Sequence, residues 1–408
     1  ASLVFRNAGG KFESDAENSK RLAEVGLVSG AVFSDLDGDG DPDLVLACEW
    51  DSLRVFRNEG GSLIEATKEL GFLEFKGWWN GVAAGDFDGD GRLDIVASNW
   101  GRNTKYESLR AKPLLLFHGD LAGEGAEAMV EAYYNADMKM VAPVRGLNAM
   151  AKAMPFLREK FATHRAFAEA SVEQILGERL KAAKVKEANW LESTVFLNRG
   201  NRFEAKALPV EAQMAPAFGV AVGDFDGDGN EDVFLSQNFF ATQVETPRYD
   251  AGRGLWLKGD GHGGFESVPG QVSGVKVYGE QRGAAVCDYD HDGRVDLVVA
   301  QNGAATKLFR NTGAKPGLRV RLAGPPANQA GVGATIRLQF GDRFGPAREI
   351  HAGSGYWSQD GAVQVMGIPV SPTHVQVRWP GGKAVTSAVA ANASEISIDT
   401  EGRIRIPP

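Results

Sequence analysis

Cysteine and long apolar segments are scarce in this sequence. The 408 residues contain two cysteines, Cys48 and Cys287. We expect Cys48 at the far end of one strand and Cys287 in a different repeat at the opposite face, which disfavours a disulfide, and both packed as small hydrophobic residues. No stretch resembles a signal peptide or a hydrophobic anchor, and the first residue is not methionine. These absences favour a processed or truncated piece of a longer secreted chain, without a transmembrane segment.

The sequence also lacks a net positive charge and the motifs of common enzyme classes. The formal net charge is -9, and no basic run is present, which argues against a nucleic-acid partner. The histidines show no zinc-ligand spacing. No nucleophile elbow, phosphate-binding Walker loop or dinucleotide fingerprint occurs. The sequence therefore excludes the enzyme classes that such motifs identify.

Aspartate at a fixed spacing is the dominant positive feature. The pattern Asp-x-Asp-x-Asp-Gly-x-x-Asp occurs four times. Alternate carboxylates on a tightly curled loop converge on one point, which suits a hard cation such as Ca²⁺. We predict about four structural calcium sites, with side-chain ligands Asp35, Asp37, Asp39, Asp43; Asp86, Asp88, Asp90, Asp94; Asp224, Asp226, Asp228, Asp232; and Asp288, Asp290, Asp292, Asp296. Positions are counted from the first Asp of each loop. The residues at position seven are expected to add a backbone carbonyl ligand: Asp41, Arg92, Asn230 and Arg294.

The residues around these loops predict strands. An EF-hand would place a glutamate at position twelve between two helices, whereas this chain has Leu46, Ala97, Leu235 and Val299 there. A short apolar run follows each loop, and another run precedes it. The preceding run starts with a glycine five residues before the first Asp: Gly30, Gly81, Gly219 and Gly283. Each loop is therefore predicted to be the tip of a β-hairpin.

A third strand of the form aliphatic, aromatic and often Asn recurs six times, for example at Val55-Phe56-Arg57-Asn58, Leu116-Phe117 and Val195-Phe196-Leu197-Asn198. After most copies a Gly-rich turn leads into a fourth strand. Four strands per unit, repeated every fifty residues or about that number, are typical of a propeller blade.

These motifs resemble the FG-GAP repeats, also called VCBS repeats, which form the calcium-loop blades of integrin α-chain propellers. The resemblance covers about residues 1–312 and implies a β-propeller domain over residues 1–316, in which each Asp loop links the innermost strand to the second one. The N-terminus departs from the pattern, because Leu3 to Asn7 matches a third strand and Phe12 a fourth. Missing blades are therefore expected upstream.

A second departure lies at about residues 136–190, where we expect a helical insertion in place of the inner strands of another blade. Ser171 and Gln174 form a capping box, and Val172, Ile175 and Leu176 then fall on one helical face. The insertion is either a packing pad or a lid or partner-binding helix pair.

The pattern changes beyond Pro316, where Asp loops stop and alternating strands such as Val375 to Trp379 begin. Three segments, 331–334, 353–359 and 379–382, resemble the ASPIC/UnbV domain. We expect this domain over residues 317–408 as a small β-sandwich. The predicted fold is thus all-β, a calcium-binding propeller with a helical insertion and a C-terminal β-domain.

Aromatic and amide side chains are expected to gather on the face opposite the loops. The candidate ligand-binding residues are Trp50, Trp78, Trp79, Asn80, Asn99, Trp100, Asn238, Arg282 and Asn302. Ring faces and forked donors suit a sugar or peptide. The alternative is structural, with aromatics plugging a central channel and amides closing turns.

The function expected from this sequence is a secreted, periplasmic or cell-surface binding or adhesion module for an extracellular glycan or protein. The alternative is a carbohydrate-active enzyme of the polysaccharide-lyase kind. Its acid or base would have to come from Glu49, Asp250, Tyr249, Lys105 or Arg282. Spacing alone does not assemble such a site.

Overall fold

The computed structural model describes residues 2–106 and 111–406. Strands make up 39% and helices 11% of the chain, so the expectation of an all-β protein with many antiparallel sheets is confirmed.

Four antiparallel sheets, called sheets 1 to 4, each carry one Asp loop. In every case the loop joins the first and second strands, which pair antiparallel, as the hairpin prediction requires. Sheet 1 contains Leu27–Ser34, Asp43–Asp51, Arg54–Glu59 and Ser62–Glu65, with Gly77–Trp78 added to its second strand. Sheet 2 contains Val82–Gly85, Asp94–Ala97, Thr194–Asn198 and Phe203–Ala207. Sheet 3 contains Ala217–Gly223, Asp232–Gln237, Leu255–Gly259 and Phe265–Val268, and sheet 4 contains Glu280–Cys287, Asp296–Asn302 and Lys307–Phe309.

In sheets 1, 2 and 3 the glycine five residues before the loop lies where the first strand contacts the next sheet. A Cβ on Gly30 would come 2.7 Å from the Asn80 carbonyl oxygen. A Cβ on Gly81 would overlap the Phe218 carbonyl, and one on Gly219 the Arg282 carbonyl. Only glycine permits these close approaches of two backbones. The first strands of sheets 1 to 4 therefore stand side by side in chain order.

Apolar side chains fill the spaces between consecutive sheets. Val45 and Ile95 share a buried cluster between sheets 1 and 2. Val96 and Val233 belong to the next cluster, and Phe234 and Leu297 to the one between sheets 3 and 4. Each sheet thus buries its faces mainly against its neighbours.

The insertion interrupts sheet 2 between its second and third strands. Its own sheet has four antiparallel strands, Leu114–Gly119, Ala128–Asn135, Met140–Pro143 and Lys184–Ala188. Leu116 and Phe117 pair with Glu131 and Val130 in this sheet, so the expectation that they form the third strand of a blade is wrong. The third strand of sheet 2 is Thr194–Asn198, which resumes after the insertion.

Short helices of the insertion pack on this sheet around Leu157, Phe167 and Ile175. The capping box of Ser171 and Gln174 is present as predicted. The helices are Leu147–Ala153, Phe156–Lys160, His164–Ala168, Val172–Leu176 and the 3₁₀ helix Gly177–Ala182. Elsewhere the chain has Ala16–Arg21, Gly270–Ser273 and the 3₁₀ turns Phe72–Glu74 and Val210–Gln213. Within the described ranges, every helix is too short or too polar to cross a bilayer.

The first two strands of the chain form a separate hairpin. Phe5–Ala8 pairs with Lys11–Ser14, and among the described residues no other strand joins them. Phe5 and Phe12 remain exposed. Asn18 anchors the following helix by hydrogen bonds to the Gly61 carbonyl and the Leu63 amide, each 2.9 Å long.

The C-terminal region consists of two sheets around one apolar core that includes Val320, Ile336, Val377 and Ile396. The first contains Gln364–Met366, Leu318–Ala323, Glu395–Asp399 and Ile404–Arg405; the second contains Arg343–Phe344, Thr335–Phe340, His374–Arg378 and Ala384–Ala388, with Arg348–Glu349 paired to Thr335–Phe340.

One segment of this region, residues 353–357, reaches the strands of sheets 1, 2 and 4. We call it the closing segment. The Ala31 amide donates to the Gly355 carbonyl at 3.1 Å. A Cβ on Gly355 would overlap the Val82 carbonyl, and one on Gly283 would lie 2.7 Å from the Trp357 carbonyl. The closing segment therefore lies in backbone contact with the first strands of sheets 1, 2 and 4.

Candidate metal centres

The four Asp loops share one backbone geometry. The glycine at position six has a left-handed φ of 96° at Gly40, 91° at Gly91, 92° at Gly229 and 78° at Gly293. Its N–H donates to Oδ2 of the first Asp at 2.8 to 3.1 Å in every loop. Position four is also left-handed, in Gly38, Gly89, Gly227 and His291. The spacing of glycine thus folds each loop back on its own first carboxylate.

This curl brings carboxylate oxygens together. In each loop, three carboxylates offer oxygen atoms that all lie within 4.8 Å of one another. The groups are Asp35, Asp37, Asp39; Asp86, Asp88, Asp90; Asp224, Asp226, Asp232; and Asp288, Asp290, Asp296. Of the predicted ligands, Asp43, Asp94, Asp228 and Asp292 lie outside these groups.

The aspartate at position nine is buried and held by backbone amides. Asp94 Oδ1 accepts from the Asn198 amide at 2.6 Å, and its Oδ2 accepts from the Phe87 amide at 2.9 Å. The equivalent pairs of bonds hold Asp43, Asp232 and Asp296. This carboxylate therefore fastens the third strand and position two of the loop to the start of the second strand.

The asparagine that ends the third strand has a role that the sequence did not reveal. The Asn198 side chain donates to the Leu93 carbonyl of its own sheet at 3.1 Å and to the Leu36 carbonyl of sheet 1 at 2.8 Å. Asn311 makes the matching bonds to Val295 and to Phe225 of sheet 3. The recurrence of Asn at this position was the available signal.

Burial makes the negative charges of these loops costly. Desolvation raises the pKa of Asp94 and of Asp232 to about 8, and that of Asp43 to about 7. The same cause raises the pKa of Asp86 and Asp224 to about 6. A bound divalent cation would favour the charged form of these groups.

One loop contains buried oxygen atoms without partners. Oδ1 of Asp86 and Oδ1 of Asp88 are buried and accept no hydrogen bond within the described part of the chain. Both residues belong to the same carboxylate group. Buried polar atoms are normally paired, so these two oxygens fit the position of a cation. The donor set is entirely oxygen, which suits calcium.

Basic side chains from the third strand region compensate the exposed edge of each loop. Arg199 Nη1 lies 2.6 Å from Asp88 Oδ2, and Arg57 Nε lies 3.9 Å from Asp37 Oδ2. Lys258 pairs with Asp226, and Arg310 pairs with Asp290. The position-three aspartate thus has a cationic partner in all four loops. These partners were missed, although Arg57 and Arg310 precede the recurrent Asn directly in the sequence.

The position-seven residues also act through side chains in two loops. Arg92 pairs with Asp90, and Arg294 Nη1 lies 2.9 Å from Asp292 Oδ2. Their backbone amides, like those of Asp41 and Asn230, donate to Oδ1 of the position-five aspartate. The expected carbonyl contribution to a metal remains a prediction.

Most of the amides and indoles expected to bind a ligand are buried. Trp79 and Asn99 are 0% exposed, and Trp50, Trp78, Asn80 and Asn238 are also buried. Asn99 accepts from the Trp78 and Trp100 amides, and Asn238 donates to the Gly252 and Gly279 carbonyls. Trp50 and Trp78 share a cluster with Leu114 and Leu116 of the insertion. These six side chains are therefore not accessible as expected: the insertion packs on Trp50 and Trp78, Trp79 lies in the core between sheets 1 and 2, and the amides bond to the backbone. Their role in ligand binding stays a prediction.

Aromatic rings nevertheless form a continuous series on this face. Ring centroids of successive members lie 4.9 to 6.2 Å apart. We call this series the aromatic row: Trp78, Trp100, Phe239, Phe218, Tyr356 and Trp357. Arg282 lies over the Phe218 ring at 4.0 Å, and Trp357 is 88% exposed. Four members of the row were not among the predicted ligand residues: Phe218, Phe239, Tyr356 and Trp357. Asn302, which was, is exposed but outside the row.

The candidate acid and base residues are engaged in separate contacts. Glu49 accepts from Ser29 Oγ at 2.8 Å, and Lys105 Nζ donates to Thr246 Oγ1 at 2.9 Å. Arg282 pairs with Glu280 at 2.5 Å. Asp250 lies 4.0 Å from Arg248, and burial raises the pKa of Tyr249.

Comparison with known families identifies two parts of the chain. Residues 35–97 match the FG-GAP-like repeat, and residues 324–403 match the ASPIC and UnbV family. The chain therefore contains an FG-GAP-like repeat and an ASPIC/UnbV domain, which confirms both resemblances. FG-GAP repeats are typical of extracellular proteins.

Other comparisons add little. The search of curated proteins found no match. Among solved structures, the chain is similar to the one described as the crystal structure of BBS1N in complex with ARL6DN, soaked with lead, with 8% identity and a TM-score of 0.26. That alignment covers 90% of this chain and 94% of the other. A likeness at this TM-score carries no argument about this protein.

Proposed function

We propose that this chain is a calcium-stabilised β-propeller that acts as a secreted, periplasmic or cell-surface module binding a glycan or protein. The observation that carries the proposal is the repetition of one carboxylate loop in each of four neighbouring sheets, with unpaired buried oxygens in one copy. Side-by-side first strands support the propeller arrangement. Loops of this type bind calcium most usefully where it is abundant, outside the cytosol.

Calcium in this proposal is structural. Residues of all four loops would hold the ions, and each ion would offset the charge that burial makes unfavourable. Calcium at about a hundredfold above its dissociation constant adds about 2.7 kcal/mol per site to stability. We therefore expect chelation to lower the melting temperature by roughly 10 °C or more. Calorimetry with and without excess chelator measures this, and an unchanged melt would contradict calcium binding.

The aromatic row supports the ligand-binding part of the proposal. Trp357 has a left-handed φ of 49° and an almost fully exposed ring. A bulky residue in this conformation is strained, and such strain tends to occur at functional sites. Arg282 beside the row offers donors next to stacking surfaces, a combination that suits a sugar or an acidic group.

Glycan arrays and uronic-acid polysaccharides test this binding role. We expect Trp357→Ala to weaken binding about tenfold, whereas Phe12→Ala, which removes a similarly exposed ring elsewhere, should leave it unchanged. Equal binding by both variants would exclude the aromatic row as the site. New unsaturated sugar ends during incubation would show the polysaccharide-lyase alternative instead.

A further inference from the structure

The C-terminal domain lies against the Asp loops of all four sheets. Arg378 Nη2 is 2.9 Å from Asp35 Oδ2, and Arg319 Nε is 2.8 Å from Asp288 Oδ2. We number each Asp loop by the sheet that carries it. In loop 2 the Ala347 amide donates to Asp86 Oδ2 at 2.8 Å. In loop 3 Gly367 packs on Asp224 so closely that a Cβ would overlap Oδ2. Each loop thus presents the same oxygen of its first aspartate to this domain.

Further contacts place one arginine of the domain beside every loop. Arg337 packs on Gly91 of loop 2. Arg348 forms a bidentate pair with Glu231 of loop 3, at 2.8 and 2.6 Å. The Gly381 amide donates to the Gly40 carbonyl, and the Gly317 amide to the Gly293 carbonyl. Side-chain and backbone groups of the C-terminal domain therefore contact the Asp loop of each of the four sheets.

Burial distinguishes these pairs from ordinary surface ion pairs. The Arg319 side chain is 8% exposed and that of Asp288 is 1% exposed. Arg348 and Glu231 are 11% and 1% exposed. Breaking a buried pair leaves an uncompensated charge and is strongly unfavourable. The domain is thus fixed to the loops by desolvated charges.

In loop 2 the two oxygens of the first aspartate, Asp86, have different surroundings, whereas Oδ1 of Asp35, Asp224 and Asp288 accepts backbone amides of its own loop. Oδ2 of Asp86 receives the position-six amide and the group from the C-terminal domain. Oδ1 of Asp86 is buried without a partner in the described part of the chain, which leaves it for a cation. A residue that holds the second oxygen of a ligand carboxylate fixes its orientation and strengthens metal binding.

We propose that the C-terminal domain supplies the outer coordination shell of the calcium loops, so that domain docking and cation binding strengthen each other. Arg378 and Arg319 are positioning residues: they act through Asp35 and Asp288 and do not touch the ion. The inference rests on the proposed calcium function and extends it to the regulation of the same loops.

Calcium titration of the full chain, after removal of bound metal, tests the coupling. Arg378→Gln and Arg319→Gln should each weaken calcium binding at one site about tenfold, within the range seen when such supporting partners are lost. Arg321→Gln is the matched control, because Arg321 lies two residues from Arg319, is 50% exposed and pairs only loosely with Glu395 at 3.6 Å. Its calcium affinity should stay within about twofold of the parent chain.

If docking of the C-terminal domain strengthens calcium binding, calcium must strengthen docking equally. Amide hydrogen exchange at the docking contacts measures this second effect. Calcium should slow exchange at the Ala347 and Gly317 amides, which donate to loops 2 and 4, and Arg319→Gln should reduce this protection at Gly317. If a glutamine variant fails to fold, the lysine variant at that position replaces it. Lysine keeps the charge but loses the planar fork, and a loss of several fold in affinity is expected.

The outcomes separate the two proposals. Parent-level or tighter calcium binding in folded Arg378 and Arg319 variants would overturn the coupling but leave the calcium function intact. Absence of calcium uptake by the parent chain would overturn both.

Discussion

At the residue scale, the loop aspartates balance charge against burial. Asp94 and Asp232 are buried, and their pKa values rise to about 8 through desolvation. An aspartate in the unfolded chain has a pKa of about 4. Without a cation, the folded chain therefore binds more protons than the unfolded chain between these two values.

This difference predicts how the metal-free protein responds to pH. Stability falls as pH rises wherever the folded state holds more protons. The melting temperature of chelated protein should decrease between about pH 4 and pH 8 and then level off, because above pH 8 both states are ionised. Calcium-saturated protein should show a smaller decrease, since the ion favours the charged carboxylates. Identical pH profiles with and without calcium would contradict this explanation.

Glycine at a strand contact makes a second residue-scale prediction. A Cβ on Gly81 would overlap the Phe218 carbonyl of the next sheet, and two backbones cannot easily move apart. Gly81→Ala should destabilise the fold by about 3 kcal/mol. Gly313→Ala is the control, because nothing lies within 4 Å of its added Cβ. Denaturant unfolding measures both, and an equal effect would disprove the close contact.

At the scale of elements, asparagines that end third strands connect neighbouring sheets. Asn198 bonds two buried carbonyls, those of Leu36 and Leu93, whereas Asn58 bonds the Pro42 carbonyl of its own sheet. The Asn198 side-chain amide therefore links sheet 2 to sheet 1, whereas the Asn58 amide makes its bond within sheet 1.

Removing these amides should have unequal costs. Asn198→Ala leaves two buried acceptors unpaired and should cost roughly 3 kcal/mol, whereas Asn58→Ala should cost about 1 kcal/mol. The free energies of unfolding of the two variants give the comparison. A larger loss for Asn58→Ala would show that the bond between sheets contributes little.

The limits of prediction are clearest at this scale. The Asp loops and their hairpins could be predicted because the carboxylate spacing and the loop glycines act within nine residues. The place of the insertion could not, because Leu116-Phe117 has the same aliphatic-aromatic pattern as a blade strand. The arginines beside the loops were also missed, since Arg378 meets Asp35 only through the tertiary fold.

For the aromatic candidates, side-chain type was a poor guide to accessibility. Trp79 packs in the core between sheets 1 and 2, while Trp357, in the C-terminal domain, completes the aromatic row. Indole and amide groups serve packing and recognition equally well, so only burial separates the two roles.

At the scale of the whole molecule, the C-terminal domain is joined to the sheets at many points. It contacts all four loops, and its closing segment touches sheets 1, 2 and 4. We therefore expect one cooperative unfolding transition in calorimetry, because separate domains melt together when their interface is large and buried. Two well-separated transitions in calcium-saturated protein would show that the interface contributes little stability.

The position of the closing segment in the chain sets an order on biosynthesis. Ala31 leaves the ribosome long before its hydrogen-bond partner Gly355, so the first strand of sheet 1 stays without this partner until Gly355 has been synthesised. Because nascent domains tend to fold as they emerge, this chain would need protection against premature association during that interval.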